Sequence, residues 1–195
     1  MIIGHFATAL VPHARRVGVP LWVLLLCSNL ADFLWLALTM AGIEHATPDS
    51  MWEATCANLE VAMPVSHDLL PTIVLAALVA GAVGWRYGTR RGAVACGILV
   101  LLHLACDLLC GYEHNLAGPA TRAVGLNLYQ RSPHVAIVLE AAFGALCVSL
   151  YRRERRVRGD ALSARGLAGL YALFVGGALV WLPTATIPLG SLPGM

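Results

Sequence analysis

The chain contains 195 residues, of which 58% are hydrophobic and only 12% are charged, and its mean hydropathy is +0.73. Soluble globular domains carry about 25% charged residues, so this composition excludes an ordinary water-soluble domain and indicates an integral membrane protein. The formal net charge of +2 says little about partners, and we expect no nucleic-acid partner. The six cysteines form no CxxC or CxxCH pattern, which argues against a zinc ribbon, a c-type haem and a disulfide-stapled secreted domain.

The apolar segments predict the course of the chain through a membrane. Residues 1–14 are too short to cross a bilayer, and Arg15 and Arg16 follow this apolar stretch, whereas the charges of a signal peptide come first. This stretch predicts a short N-terminal re-entrant or interfacial helix. The later segments long enough to span are residues 20–43, 66–86, 92–111, 132–151 and 165–188. The expected fold is therefore all-α, a polytopic membrane helical bundle of about five transmembrane helices in a single domain, residues 1–195.

The arginines predict the orientation of these spans. All thirteen basic residues are arginine, and eleven of them lie just before the first span, between the second and third spans, or between the fourth and fifth. These three regions fall on one side of the membrane, which the positive-inside rule identifies as cytoplasmic. Loops 44–65 and 112–131 then face the periplasm or exterior. The expected location is a bacterial inner membrane, with membrane lipids as neighbours.

His103 and Asp107 lie four residues apart inside the otherwise apolar segment 92–111. This spacing places both side chains on one face of a helix. Ionisable groups inside a span cost several kcal/mol unless they find partners, so they indicate a functional site. The alternative is a pair that only ties two helices together.

Further ionisable residues lie in the other spans and at their ends. Asp32 is near the middle of the first span, Asp68 follows His67 at the start of the second, and Glu140 lies two turns inside the fourth. Imidazole and carboxylate groups suit zinc, iron or manganese. Each group also has a structural alternative: Asp68 as a helix cap with Ser66, and Glu140 as a hydrogen-bond partner of another helix. His114 and His134 are expected to be loop or interfacial residues.

The order of these motifs resembles that of a known family. Gly4-His5, Asp32 in NLAD, the SHDLL of residues 66–70 and the HLACD of residues 103–107 follow one another along the chain. This order is similar to that of the YdjM-like membrane-bound metal-dependent hydrolases, in their bacterial branch with PxSHSLL and HxxxD motifs. The resemblance covers roughly residues 1–156. The motifs of this family are in turn similar to those of the zinc-dependent phospholipases C.

The resemblance implies a divalent metal, zinc first with iron or manganese as alternatives, and a specific set of ligands. These implied ligands are His5, Asp32, His67, His103 and Asp107, with His114 at the position of a loop histidine. The chain departs from the pattern at three places: Asp32 is the only acid left of an Asp-rich motif, SHSLL has become SHDLL, and an HRPDLPL loop has become EHNLAGP. Fewer carboxylate ligands favour one metal over two, or none.

Three functions follow as hypotheses. The first is a metal-dependent hydrolase acting on an ester or phosphoester of a lipid-like substrate, in which Asp68 or Glu140 serves as a base or supports the ligands. The second is a non-catalytic structural or accessory subunit of a larger membrane complex, with partner membrane subunits in place of a substrate. The third is a haem or proton-relay protein with paired histidines.

Overall fold

Helices dominate the computed structural model of the chain, which describes residues 3–50 and 52–191. The first two residues of the predicted N-terminal segment and residue 51 of the first long loop lie outside the described part. Four helices are long and apolar enough to cross a membrane, and one bent pair of helices is a fifth candidate. The prediction of a mostly helical chain with about five apolar spans is therefore confirmed.

The elements follow one another in a simple order. The helices are α1 (Gly4–Thr8), α2 (Leu10–Ala14), α3 (Leu21–Ser28), α4 (Leu30–Met40), α5 (Leu69–Tyr87), α6 (Arg90–Cys110), α7 (Leu128–Arg131), α8 (Pro133–Val157), α9 (Ala164–Tyr171) and α10 (Gly177–Leu179). A π-helical turn at Ala172–Gly176 joins α9 to α10. Two short antiparallel hairpins, absent from the sequence prediction, lie in the long loops: β1 (His45–Thr47) with β2 (Glu60–Ala62), and β3 (His114–Asn115) with β4 (Ala123–Val124).

The first predicted span is broken between α3 and α4, which meet at an angle of 59°. At the break, the side-chain amide of Asn29 donates to the carbonyl of Leu25 and to Oγ of Ser28, at 3.3 and 2.9 Å. Serine and asparagine side chains that bond to nearby backbone compete with the helical hydrogen bonds. The break leaves the last carbonyls of α3 without helical partners, which makes them available to another helix.

The central helix of the bundle is α6. It packs along α5, and it also contacts α3, α4, α7, α8 and the N-terminal helix α1. Close approach of α5 and α6 depends on Gly97, because a Cβ atom there would lie 3.2 Å from the carbonyl oxygen of Ala76. On the other side, α8 packs against α1, α2 and the helical segment 172–179. The N-terminal helices are thus held between α6 and α8, inside the bundle.

Large apolar side chains remain exposed on the outside of the bundle. On α5, the exposed fractions of Leu70, Ile73, Val74 and Leu78 are 57, 52, 51 and 66%. The helical segment Ala164–Ala185 is similarly apolar, and only 11% of its most apolar stretch is buried. Apolar faces of this extent indicate contact with lipid or with another protein.

Candidate metal centre

The structure brings together all five residues that the family resemblance implies as metal ligands. His5 is on α1, Asp32 on α4, His67 in the turn before α5, and His103 and Asp107 on α6. Four of the five are buried, and the side chain of Asp32 is 38% exposed. Asp32 therefore marks the side on which this cluster, which we call the His/Asp cluster, opens to its surroundings.

The closest group in the cluster consists of two imidazole nitrogens and one carboxylate oxygen. The Nε2 atoms of His67 and His103 are 3.3 Å apart, and they lie 3.4 and 3.5 Å from Oδ1 of Asp32. Ligand atoms held at about 2.1 Å in a tetrahedral zinc site are about 3.4 Å from one another. The triangle of these three atoms therefore has the size of one face of such a site, and the group could hold a metal ion.

Asp107 approaches the same nitrogens from another side. Its Oδ2 atom lies 3.2 Å from Nε2 of His103 and 3.8 Å from Nε2 of His67. Its Oδ1 atom lies 3.1 Å from Nε2 of His5, whose ring stacks on that of His103 with a centroid separation of 3.6 Å. His5, His103 and Asp107 form a second group that could hold a metal ion. His103 and Asp107, which are four residues apart on α6, thus belong to a site that residues of several helices form.

The tautomer of His103 follows from its hydrogen bond to α3. Its Nδ1 atom lies 2.9 Å from the carbonyl oxygen of Ser28, at the broken end of that helix. A carbonyl oxygen only accepts, so Nδ1 carries the proton and donates it. In the neutral ring, Nε2 is then unprotonated and presents its lone pair to the cluster.

His67 is oriented in the same way by a serine and a buried glutamate. Oγ of Ser66 lies 2.8 Å from Nδ1 of His67 and donates to Oε2 of Glu44 at 2.7 Å. Because the single hydroxyl proton goes to the carboxylate, Oγ of Ser66 accepts from Nδ1 of His67. In the neutral ring, Nε2 of His67 is therefore also unprotonated. Partners of this kind fix the tautomer and orientation of metal-binding histidines.

Glu44 is the important residue that the sequence analysis missed. Only 1% of it is exposed, and its Oε1 atom accepts hydrogen bonds from the backbone amides of Val65 and Ser66 at 2.8 and 2.9 Å. In the sequence it is one of several acids in a long polar loop. The hairpin of β1 and β2 brings it back to Ser66, and no local pattern indicates this contact.

Asp68 is buried beside the cluster but is directed toward a loop. Its two carboxylate oxygens accept from the backbone amides of Asn115 and Gly118, the first at 2.9 Å. Asp68 occupies the position before α5, yet its side chain makes no capping hydrogen bond to that helix. Of the roles expected for Asp68, these contacts favour holding loop 112–131 in place over acting as a base or as a helix cap.

Glu140 is also buried, on α8, and it holds the N-terminal segment. Its Oε1 atom accepts from the backbone amides of Ile3 and Gly4, and its Oε2 atom accepts from the hydroxyl of Tyr129 at 2.8 Å. Because Gly4 precedes His5, these hydrogen bonds place the His5 ring in the cluster. The contacts favour support of the ligands over action as a base.

His114 and His134 differ in their surroundings. His134 is exposed at the start of α8, as expected for an interfacial residue. His114 is buried, and its ring stacks on that of His67 with a centroid separation of 5.3 Å. Burial, and next the nearby His67, lower the pKa of His114 from 6.5 to about 4. A neutral His114 ring therefore covers His67 on the loop side.

The comparisons with known proteins found no relative. No family model matches the chain, and searches of the curated proteins and of the solved structures found no match either.

Proposed function

We propose that the chain is a membrane-embedded metal-dependent hydrolase that acts on an ester or phosphoester of a lipid-like substrate. One observation carries the proposal: the Nε2 atoms of His67 and His103 lie 3.3 Å apart, and both face the Asp32 carboxylate. With Nδ1 of each ring donating elsewhere, all three of these atoms accept hydrogen bonds when the rings are neutral. Such a group of lone pairs is stable only around a cation.

A divalent metal fits this position better than an extra proton. A proton on His103 would satisfy one nitrogen and one carboxylate, whereas a divalent ion held by Asp32, His67 and His103 would engage all three ligand atoms at once. Two histidines and one carboxylate are a known catalytic zinc set, which leaves a fourth position open. The exposed side of Asp32 provides access to that position.

The shared ligand favours a single metal. Both groups that could hold an ion include His103, and its Nε2 atom has one lone pair for coordination. We therefore assign Asp32, His67 and His103 as the principal ligands, with zinc as the preferred ion and iron or manganese as alternatives. Asp107, whose Oδ2 atom approaches the same two nitrogens, either completes the set or acts on a substrate.

The remaining residues of the cluster supply orientation and a proton acceptor. A bound divalent ion would supply Lewis acidity toward a carbonyl or phosphoryl oxygen and would lower the pKa of water. His5 donates from Nε2 to Oδ1 of Asp107 and so fixes the direction of that carboxylate. Oδ2 of Asp107, beside the ligand nitrogens, is placed to accept a proton from an attacking water.

The membrane setting rests on the apolar spans and on the arginines. With α6 running from Arg90 at the cytoplasmic side to Cys110 at the outer side, the cluster lies in the outer half of the bilayer. Loops 44–65 and 112–131, which supply Glu44 and the partners of Asp68, then cover the cluster from the periplasm or exterior. The resemblance to YdjM-like hydrolases, in the order of Gly4-His5, Asp32, SHDLL and HLACD, supports the same activity.

Metal analysis of matched variants tests the proposal. The protein is purified in detergent without chelators, and zinc, iron and manganese are measured by mass spectrometry for the wild type, His103→Ala and His134→Ala. We expect about one metal ion per chain in the wild type and in His134→Ala, an exposed histidine outside the cluster, and none in His103→Ala. Release of fatty acid or phosphate from a panel of phospholipids should follow the metal content.

Other results would favour the other hypotheses. A folded wild-type protein that contains no metal, and binds none when zinc is added, would overturn the proposal. If that protein also purified with stoichiometric partner subunits, the accessory role would replace the hydrolase. A Soret band in the absorption spectrum of the purified protein would indicate haem instead.

A further inference from the structure

A second candidate site is a groove whose lining includes none of the residues of the His/Asp cluster. This groove has a volume of about 940 Å³ and lies between α6 and α8, with α1 and α2 as its floor. Its walls are apolar and include Val94, Ile98 and Leu102 of α6 and Phe143, Leu146 and Leu150 of α8. Val94, Ile98 and Leu146 are each more than half exposed, so the groove is open along its length.

One end of this groove is strongly basic. Arg15, Arg90, Arg91 and Arg158 line it, against a single acid, Glu154. Glu154 is already paired with Arg15, through hydrogen bonds of 2.8 and 3.1 Å. Within the described part of the chain, Arg90, Arg91 and Arg158 take part in no ion pair. An apolar groove with unpaired cations at one end matches a ligand with an apolar body and an anionic end.

We propose that this groove binds an anionic diacyl phospholipid of the cytoplasmic leaflet. The phosphate lies among Arg90, Arg91 and Arg158, at the start of α6, where the helix dipole also favours an anion. The acyl chains run along Val94, Ile98 and Leu102 toward the middle of the membrane. The inference relies on the bundle spanning a membrane with its arginines inside, and it is independent of any metal.

The bound lipid is distinct from a substrate of the cluster. Arg91 and His103 are twelve residues apart on α6, which is about 18 Å along a helix. A lipid whose phosphate is held by the arginines therefore keeps its ester and phosphoester bonds far from His103. Because Thr8 and Val11 lie in the floor of the groove, the lipid instead packs against the segment that carries His5.

Lipid binding by the detergent-purified protein tests this inference. Native mass spectrometry after titration with phosphatidylglycerol compares the wild type with an Arg90→Gln/Arg91→Gln double variant. The control is Arg152→Gln/Arg153→Gln, which loses the same charge from α8 outside the groove. Each arginine near an anionic headgroup contributes about a factor of five, so we expect about 30-fold weaker binding by the first variant. The control should bind like the wild type. Equal weakening in both variants would show only general charge attraction and would overturn the proposal.

Further variants and ligands test the apolar walls of the groove and the identity of the molecule bound there. Leu146→Trp fills the groove and should weaken phosphatidylglycerol binding, whereas Leu78→Trp, on the exposed face of α5, should not. Phosphatidylcholine should bind more weakly than phosphatidylglycerol, and glycerol phosphate should not compete. Full competition by glycerol phosphate would overturn the role of the acyl chains. A lipid-free dimer that dissociates in Leu146→Trp would overturn the proposal in favour of a second copy of the chain.

Discussion

Oγ of Ser66 lies 2.8 Å from Nδ1 of His67, and this hydroxyl connects the histidine to the buried carboxylate of Glu44. The consequence is that the neutral His67 ring presents the lone pair of Nε2 to the His/Asp cluster. His67 and Ser66 are adjacent in the chain but have different roles. The His67 ring faces the cluster, and the Ser66 hydroxyl fixes the tautomer of that ring.

Ser66→Ala should therefore weaken metal binding without removing a ligand. Loss of a partner of this kind lowers metal affinity by about 10–100-fold. The dissociation constant for zinc, measured by competition with a chelating dye, checks this. Ser149→Ala is the matched control, because the Ser149 hydroxyl is bonded to that of Tyr171 on the exposed side of α8, outside the cluster. Equal zinc affinity in wild type and Ser66→Ala would contradict the role of the serine.

Asp68→Asn should separate a positioning role from a catalytic one. The amide keeps one acceptor oxygen but turns an NH₂ group toward one of the two loop amides, which costs about 1–3 kcal/mol when that donor loses its partner. We expect a lower Tm and faster proteolysis within loop 112–131, with zinc affinity unchanged. Asp49→Asn, an exposed acid of the other loop, provides the control. A stable variant that binds zinc but has lost hydrolysis would instead indicate that Asp68 is the base.

The sequence predicts the ionisable residues of the cluster better than the residues whose hydrogen bonds hold them in place. His103 and Asp107 are recognisable because an ionisable pair at helical spacing is costly in an apolar segment. Asp32 stands out for the same reason, and the family resemblance adds His5 and His67. These residues can be found because each is unusual within its own stretch of chain.

The supporting contacts are long-range and leave no local pattern. Glu44 reaches Ser66 across 22 residues of loop, and Glu140 reaches Gly4 across 136. The break after Ser28 has only a weak signal in the sequence, since residues 21–41 contain neither proline nor glycine. That break nevertheless exposes the carbonyl that orients His103. Positions like these follow from the packing of helices, which single-segment periodicity does not encode.

Glu140→Gln should loosen the N-terminal segment. Hydrogen bonds to a charged acceptor stabilise by about 1.5–3 kcal/mol, compared with about 1 kcal/mol for a neutral one, so the amides of Ile3 and Gly4 lose part of their protection. Hydrogen exchange of the N-terminal peptide should become roughly tenfold faster, since about 1.4 kcal/mol corresponds to that factor. Tyr129→Phe removes only the hydrogen bond to Oε2 and should leave this exchange nearly unchanged. Unchanged exchange in Glu140→Gln together with lost hydrolysis would identify Glu140 as a base.

Two glycine substitutions should change stability in opposite directions. A Cβ atom at Gly144 of α8 would lie 3.0 Å from the carbonyl oxygen of Phe174, so the two helical segments would have to separate. Gly144→Ala is therefore expected to lower stability by about 1–3 kcal/mol. At Gly169 of α9 a Cβ atom would meet no atom of the described residues within 4 Å, apart from the backbone of its own helix and its chain neighbours. Alanine there should raise stability by up to about 1 kcal/mol through helix propensity.

Thermal unfolding of both variants in the same detergent measures this difference. Since Gly169→Ala also introduces a methyl group into an apolar helix, it controls for the general effect of the substitution. A rise in Tm for both variants would contradict the close contact between Gly144 of α8 and the backbone of Phe174. A fall for Gly144→Ala alone would support the packing that holds the N-terminal helices, and with them His5, between α6 and α8.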